Sequence, residues 1–366
     1  VGGAMIFGTG VAILTSVFPP GERGKVLGIN VAAVYTGLSV GPFLGGLLTQ
    51  YLGWRSIFWA TMVLGLMMIA LVLWKLKGEW AEAKQEKFDL PGSVVYGLAL
   101  LATIYGFSLL PALWGGGLIL VGVLGILTFV WWELRVENPV FEMKLFQNNT
   151  VFAFSSMAAL VNYSATFAVG FLLSLYFQYI RGFSPQHAGL ILISQPVIQA
   201  VFSPFAGRLS DKVEPRIVAS AGMSLTVLGL VFLTFLDAGT RLELIIAALV
   251  ILGFGFALFS SPNVNAVMSS VERRFYGVAA ATMGTMRLTG QMLSMGVAML
   301  ILALYMGRTA ITPEHYPQFL DSARVAFGIS AALCFGGIFA SLARGKVRGS
   351  PHPAAQEGAP TGKGAG

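Results

Sequence analysis

Charged and reactive side chains are scarce in this 366-residue sequence. Asp, Glu, Lys and Arg make up 11% of the residues, about half the share that is typical of a soluble domain. A single cysteine, Cys334, excludes a disulfide within one chain, and His187, His315 and His352 lie too far apart in sequence to suggest a metal site. We therefore expect no metal, no cofactor and no catalytic residue, and an enzyme is the least favoured interpretation.

Hydrophobic residues make up 56% of the chain, and the mean hydropathy is +0.77. Apolar runs of about 20 residues recur along the sequence, and each is long enough to cross a bilayer as a helix. This pattern predicts an all-α polytopic membrane helix bundle that is surrounded by lipid. The eleven predicted spans are approximately residues 1–18, 26–49, 55–74, 91–110, 115–133, 151–176, 185–206, 217–236, 243–262, 277–305 and 323–343.

The positive charges are spread over alternate connections between the spans, so the net charge of +7 does not indicate nucleic-acid binding. Cytoplasmic loops are enriched in Lys and Arg, and this bias predicts that the richer set of loops and the C-terminus lie in the cytoplasm. We expect a multi-pass protein of the plasma membrane, which is the inner membrane in bacteria. Residues 75–90 are predicted to form a cytoplasmic connector, and residues 344–366 a disordered cytoplasmic tail.

Glycines recur every four positions at Gly37, Gly41 and Gly45, with Gly46 and Pro42 beside them. On a helix this spacing puts the glycines on one face, where another helix can approach closely. Pro42 removes one backbone hydrogen bond and predicts a bend in the helix. We expect this stripe to form a tight interface between two parts of the bundle.

The stripe and the Gly53-Trp54-Arg55 sequence that follows resemble the antiporter motif on the fifth helix of the major facilitator superfamily. A second segment, Gly207-Arg208-Leu209-Ser210-Asp211-Lys212-Val213-Glu214-Pro215-Arg216, resembles the family's cytoplasmic loop signature Gly-x-Leu-x-Asp-Arg-x-Gly-Arg. It departs from that signature at Glu214 and Pro215. The resemblance implies a fold of two related halves and a loop whose contacts latch one state of a transport cycle.

The residue types of this second segment give a more local prediction. Gly207 is expected to permit a tight turn, and Asp211 to cap the helix that follows and meet its positive dipole end. The cations Arg208, Lys212 and Arg216 are expected to stay in water or to pair with acids of a neighbouring helix.

Two further spans lie between the halves and point to a branch of the family. They begin after Phe88-Asp89-Leu90-Pro91-Gly92 and end at Trp131-Trp132-Glu133. This arrangement is similar to that of the 14-helix drug/proton antiporters of the EmrB/QacA type. The resemblance implies helices four to six over residues 1–74, a two-helix insert over 91–133, a six-helix half over 150–343, and three further helices that are missing before residue 1.

No acidic residue lies near the middle of a predicted span. Arg287 lies about ten residues into its span, roughly 15 Å deep, and a charge at that depth needs a wet cavity or a partner. Either Arg287 lines a central cavity and acts on a proton site or an anionic group, or it is a structural residue bonded to helix carbonyls. Other polar residues within spans are candidates for a substrate or proton pathway: Gln291, Asn162, Tyr163, Gln195, Gln199, Asn30 and Tyr35.

The resemblance implies a secondary active transporter that exports small amphiphilic compounds by alternating access, driven by inward proton flow. In a host with an outer membrane, a periplasmic adaptor would be a further partner. Two alternatives stay open: a dedicated exporter of one metabolite or siderophore, and a truncated membrane protein that does not transport.

Overall fold

The computed structural model describes residues 2–75, 89–110, 112–136, 139–307, 309 and 311–345. The side chains of residues 2–8 and of Pro42 and Phe43 are outside this description. The predicted bend at Pro42, most of the predicted connector and the predicted tail beyond residue 345 therefore lie outside the described residues.

All regular structure in the described part of the chain is helical. The helices are, in chain order, α1 (Gly2–Val17), α2 (Arg23–Leu52), α3 (Arg55–Lys75), α4 (Leu90–Leu109), α5 (Leu113–Glu133), α6 (Met143–Asn148), α7 (Thr150–Thr166), α8 (Ala168–Leu175), α9 (Pro185–Leu192), α10 (Ser194–Lys212), α11 (Pro215–Leu233), α12 (Leu242–Ser269), α13 (Tyr276–Met306) and α14 (Tyr316–Ala343). A π-turn follows α8 at Tyr176–Ile180, and 3-10 turns precede α13 and α14 at Arg273–Phe275 and Pro313–His315.

Ten helical stretches among the described residues are long and apolar enough to cross a membrane. They confirm the predicted all-α polytopic fold. The first predicted span is not confirmed, because α1 has 16 residues and a perpendicular crossing takes roughly 20. Two bounds also differ from the prediction: α12 continues to Ser269, and α14 already begins at Tyr316.

Glycine and proline set the main interruptions of these helices. α2 ends at Leu52 because Gly53 adopts a φ of 81°, a conformation that favours glycine, while its amide donates to the Thr49 carbonyl (3.1 Å). α9 ends at Leu192 because Pro196 has no N–H to donate to the Leu192 carbonyl.

Helices α7 to α9 and α11 to α14 enclose a shared apolar core that includes Phe152, Leu173, Leu249 and Phe319. Glycines allow close contacts within it. A Cβ at Gly222 on α11 would lie 2.6 Å from the carbonyl oxygen of Gly255 on α12, so the two backbones touch there.

The hairpin formed by α4 and α5 packs on α13. The ring of Phe107 covers Gly296 of α13, where an added Cβ would lie 2.9 Å from the ring. None of the described residues of α3 is buried, which is the pattern of an apolar surface that faces lipid or other membrane helices. Helices before the hairpin meet those after it where α2 packs on α10 and α12, and where α1 packs on α13.

Candidate functional site

The start of α2 meets the end of α10 at one end of the bundle. Because several cations lie there, we call it the basic end and define it by Arg23, Arg208, Arg216, Arg273 and Arg344. Arg208 is exposed and Arg216 half-buried. Contacts at this end join a helix that precedes the α4–α5 hairpin to helices that follow it.

The Asp211 carboxylate caps α2. Its Oδ1 accepts a hydrogen bond from the Gly24 amide (2.8 Å), and its Oδ2 accepts one from the Lys25 amide (2.9 Å). First-turn amides have no partner within their own helix, and the N-cap residue of α2, Glu22, makes no side-chain cap bond. Asp211 therefore supplies the missing acceptor from 186 residues away and places a negative charge at the positive end of the helix dipole.

Two predictions for this segment are wrong in detail. Asp211 does not cap the following helix, because it lies in the last turn of α10 and the N-cap position of α11 belongs to Glu214. Gly207 does not form a turn, because α10 continues through it to Lys212. Its missing side chain instead admits the backbone of α2.

Small residues bring α2 and α10 into backbone contact at the basic end. A Cβ at Gly28 would lie 2.5 Å from the Ser203 carbonyl oxygen and 2.9 Å from the Pro204 Cα, and Gly24 and Gly207 crowd each other in the same way. Such a contact leaves no room for water or for a solute between the two helices. The basic end is closed along this line.

Three polar residues of the C-terminal part support the Asp211 cap. Asn265 donates through Nδ2 to Ser210 Oγ (3.0 Å), and that nitrogen lies 3.5 Å from Asp211 Oδ1. Ser261 donates to the Gly24 carbonyl (3.3 Å). All three are buried. Ser210 stands at an unspecified position of the loop signature and Ser261 lies in neither quoted motif, so sequence alone does not single them out.

Arg23 makes a second contact at the basic end. Its guanidinium lies over the ring of Tyr276, 5.2 Å from the centroid, while its Nε donates to the Phe18 carbonyl (3.2 Å). The start of α2 is thereby tied to the start of α13 as well as to α10.

The predicted glycine stripe does not form this interface. A Cβ at Gly37, Gly41, Gly45 or Gly46 would meet no described atom within 4 Å. The buried positions among the described side chains of α2 are instead Arg23, Gly24, Leu27, Gly28, Tyr35 and Ser39. Gly37 lies two residues after Tyr35, and Gly41 lies two residues after Ser39. Two residues correspond to about 200° around a helix, so the stripe lies on the face that points away from α10.

Three of the predicted pathway residues come together near the middle of the bundle. The Arg287 guanidinium lies over the ring of Tyr163, 5.7 Å from its centroid. Tyr35 of α2 lies beside both side chains. Gly290 permits this meeting, because a Cβ there would lie 2.7 Å from the Leu160 carbonyl oxygen of α7.

The described contacts of Arg287 bear on its two interpretations. Arg287 is half-buried and, among the described residues, makes no hydrogen bond to a helix carbonyl. A cation over a tyrosine ring keeps its N–H donors available for another group.

The other predicted pathway residues are not gathered at this point. Asn162 is fully buried between α7 and α14, where its Oδ1 lies 3.7 Å from Cys334 Sγ and its Nδ2 has no partner in the described part of the chain. Gln199 is also buried, and its Oε1 has no partner. Asn30, Gln195 and Gln291 are half-buried.

Arg344 was predicted to begin a disordered tail, and the structure corrects this boundary. Its side chain is 0% exposed. Its guanidinium donates to Asn263 Oδ1 (2.8 Å), Ser155 Oγ (3.1 Å) and the Pro215 carbonyl (2.9 Å). Burial lowers the pKa of this guanidinium to about 10, so Arg344 stays charged at neutral pH. It ties α7, α11 and α12 together at the basic end.

Comparisons with known proteins agree with the geometry. The sequence profile of the Major Facilitator Superfamily matches residues 1–158 and 155–365. The chain is similar to a riboflavin transporter of Clostridioides difficile, with 27% identity over 345 residues, covering 93% of this chain and 75% of that protein. It is also similar to the multidrug resistance protein Stp of Mycobacterium tuberculosis (28% identity, 84% and 58% covered) and to a lincomycin resistance protein of Listeria innocua (26% identity, 93% and 73% covered). The chain thus spans between about half and three quarters of the length of these relatives.

Proposed function

Because the chain belongs to the Major Facilitator Superfamily, we propose that it acts as a secondary active transporter that exports small amphiphilic compounds by alternating access. The halves on either side of the α4–α5 hairpin rock against each other about a central site. The names of similar proteins include a riboflavin transporter and two drug-resistance proteins, and they support this class of cargo.

The observation that carries the proposal is the cap that Asp211 of α10 places on the first turn of α2. The cap and the glycine contact beside it keep the basic end closed through a few hydrogen bonds and through close backbone packing of α2 on α10. Such contacts break without unfolding either half, as a gate requires. We place the basic end in the cytoplasm, because Lys and Arg are concentrated in the connections on that side. The described conformation is then the one closed to the cytoplasm.

We propose that Arg287, Tyr163 and Tyr35 form part of the central site that substrates or protons visit. Arg287→Gln removes the charge and keeps a polar side chain, and we expect it to reduce export at normal expression. Arg287→Lys keeps the charge and is the matched control. Unchanged export and unchanged proton coupling in Arg287→Gln would show that the residue is structural.

The proposal also covers the energy source of transport and the membrane in which the protein lies. Inward proton flow drives export, and the protein lies in the plasma membrane, which is the inner membrane in bacteria, with its C-terminus in the cytoplasm. Three further helices complete a 14-helix protein of the drug/proton antiporter type. In a host with an outer membrane, a periplasmic adaptor would carry the cargo onward.

A second candidate is a dedicated exporter of one metabolite or siderophore, which the riboflavin transporter among the similar proteins favours. An accumulation assay separates the candidates. Cells that express the full-length protein are loaded with riboflavin, lincomycin or an amphiphilic dye, and retention is compared with that in cells expressing Asp211→Asn. Multidrug export predicts reduced retention of several compounds, and a dedicated exporter predicts one at most. Equal retention of all compounds in both strains and in empty cells would support a protein that does not transport.

A further inference from the structure

A pair of carboxyl groups closes the open end of the α4–α5 hairpin. Asp89 is the N-cap residue of α4, and Glu133 is the last residue of α5. Their side chains are buried, with exposed fractions of 8% and 2%. Neither group takes part in the contacts of the basic end or of the central site.

Asp89 has a hydrogen-bond donor at each of its two carboxyl oxygens. Its Oδ1 accepts from the Gly92 amide (3.0 Å), and its Oδ2 accepts from the indole Nε1 of Trp132 (3.0 Å). Both oxygens thus act as acceptors for N–H donors.

Glu133 is satisfied on one side only. Its Oε2 accepts from the Phe141 amide (2.9 Å), while its Oε1 is buried and has no hydrogen-bond partner among the residues that the structure describes. That free oxygen lies 2.9 Å from the point where a Cβ on Gly92 would stand, and Asp89 Oδ2 lies closer still to the same point. The two oxygens therefore border the same point beside Gly92 and lie less than twice that distance apart.

The charged groups that act on Glu133 among the described residues are both acidic, namely Asp89 and Glu142. Lys87, two residues before Asp89, lies outside the described residues. Of the cations that the structure describes near Glu133 in the chain, the Arg135 guanidinium lies over the ring of Trp131, 4.0 Å from its centroid, and Lys144 is exposed on α6. Two buried carboxyl groups at one site, with no described cation beside them, disfavour each other's charge, so ionisation of one opposes ionisation of the other.

We propose that Asp89 and Glu133 form a proton-binding site. Glu133 Oε1 carries the proton and donates it to Asp89 Oδ2, so the pair holds a single negative charge. The site binds the proton while the ends of α4 and α5 lie together. Loss of the proton leaves two like charges, which repel each other and move the ends of α4 and α5 apart. Because α4 packs on α13 through Phe107 and Gly296, the proton occupancy of the pair acts on the helix that carries Arg287.

Infrared difference spectroscopy of the purified full-length protein tests the proposal. At about pH 7 an ordinary glutamate is ionised, so a buried protonated carboxyl gives a separate C=O band that shifts on exchange into heavy water. We expect this band in the wild type and its loss in Glu133→Gln. The matched control is Glu243→Gln, which changes a glutamate at a helix start whose side chain is 75% exposed, and it should keep the band. A wild-type spectrum without the band, or a band that persists in Glu133→Gln, would overturn the proposal.

Thermal unfolding between about pH 6 and about pH 9 gives an independent readout that does not need a spectral assignment. A group that binds its proton more tightly when folded contributes stability at low pH and loses it as the pH rises. We expect the wild-type midpoint to fall over this range more steeply than that of Glu133→Gln, whose amide also donates to Asp89 and should fold normally. Equal pH slopes in the two proteins would contradict the proposal. A wild-type midpoint that rises with sodium, together with a spectrum that lacks the carboxyl band, would also contradict it, because the pair would then bind a metal cation.

Discussion

Replacing Asp211 with asparagine should loosen the closed basic end without unfolding the protein. The variant keeps one side-chain oxygen as an acceptor and loses the charge and the second acceptor. The Gly24 and Lys25 amides would then share a weaker cap. The helices themselves are expected to persist, because the variant leaves their apolar packing unchanged.

The magnitude follows from the bonds that are lost. A hydrogen bond to a charged group contributes about 1.5–3 kcal/mol, and a charge near a helix terminus about 0.3–1 kcal/mol. Asp211 is half-buried, so water compensates part of the loss, and we expect a net cost of about 1–2 kcal/mol for the closed state. That cost changes the ratio of closed to open molecules by about 5- to 30-fold.

Alkylation of a cysteine at the closed interface measures this ratio. The native Cys334 is buried, and Ser203→Cys places a reporter at a fully buried position opposite Gly28. If opening is fast relative to alkylation, the alkylation rate follows the open fraction, and Asp211→Asn should raise it about 5- to 30-fold. Glu272→Gln is the control, since Glu272 lies at the same end, is 49% exposed and pairs with Arg274. Equal rates with and without Asp211→Asn would refute the role of the cap.

Two further variants test the packing. Gly28→Ala should push α2 from α10 and raise the same alkylation rate, whereas Gly37→Ala, which meets no described atom within 4 Å, should leave it unchanged; equal effects would contradict the assignment of the two faces. Arg344→Met should lower the thermal midpoint, because it leaves the buried Asn263 Oδ1 without this donor, a loss of about 1–3 kcal/mol. Arg344→Lys should be intermediate, and a wild-type midpoint for Arg344→Met would show that the cluster contributes little.

Sequence patterns predict the helices of this chain well, because long apolar runs suit few structures other than membrane spans. They do not predict which face of a helix packs on another part of the chain. In α2 both Gly24 with Gly28 and Gly37 with Gly41 are glycines four residues apart, and each pair suits close packing. The position of α10 decides between them, and that position depends on contacts far away in sequence.

The candidate sites show the same limit. Asp211 and Arg287 attract attention by residue type and motif, but the capped helix and the tyrosine partner of Arg287 are apparent only in the structure. Arg344 and Glu133 stand next to polar segments at the ends of spans, where solvent exposure is the usual expectation for charged residues. Their burial follows from tertiary packing, which a local pattern does not encode.

The most direct test of proton-coupled export by alternating access uses the purified full-length protein in sealed liposomes with an imposed pH gradient and riboflavin as the fluorescent probe. The account predicts that riboflavin moves against its concentration gradient only while the pH gradient lasts, that protons move in the opposite direction, and that Asp211→Asn slows both fluxes together. Riboflavin accumulation that ignores the pH gradient would contradict proton coupling. If neither riboflavin nor lincomycin nor an amphiphilic dye moved under any gradient, the proposed transport function itself would be contradicted.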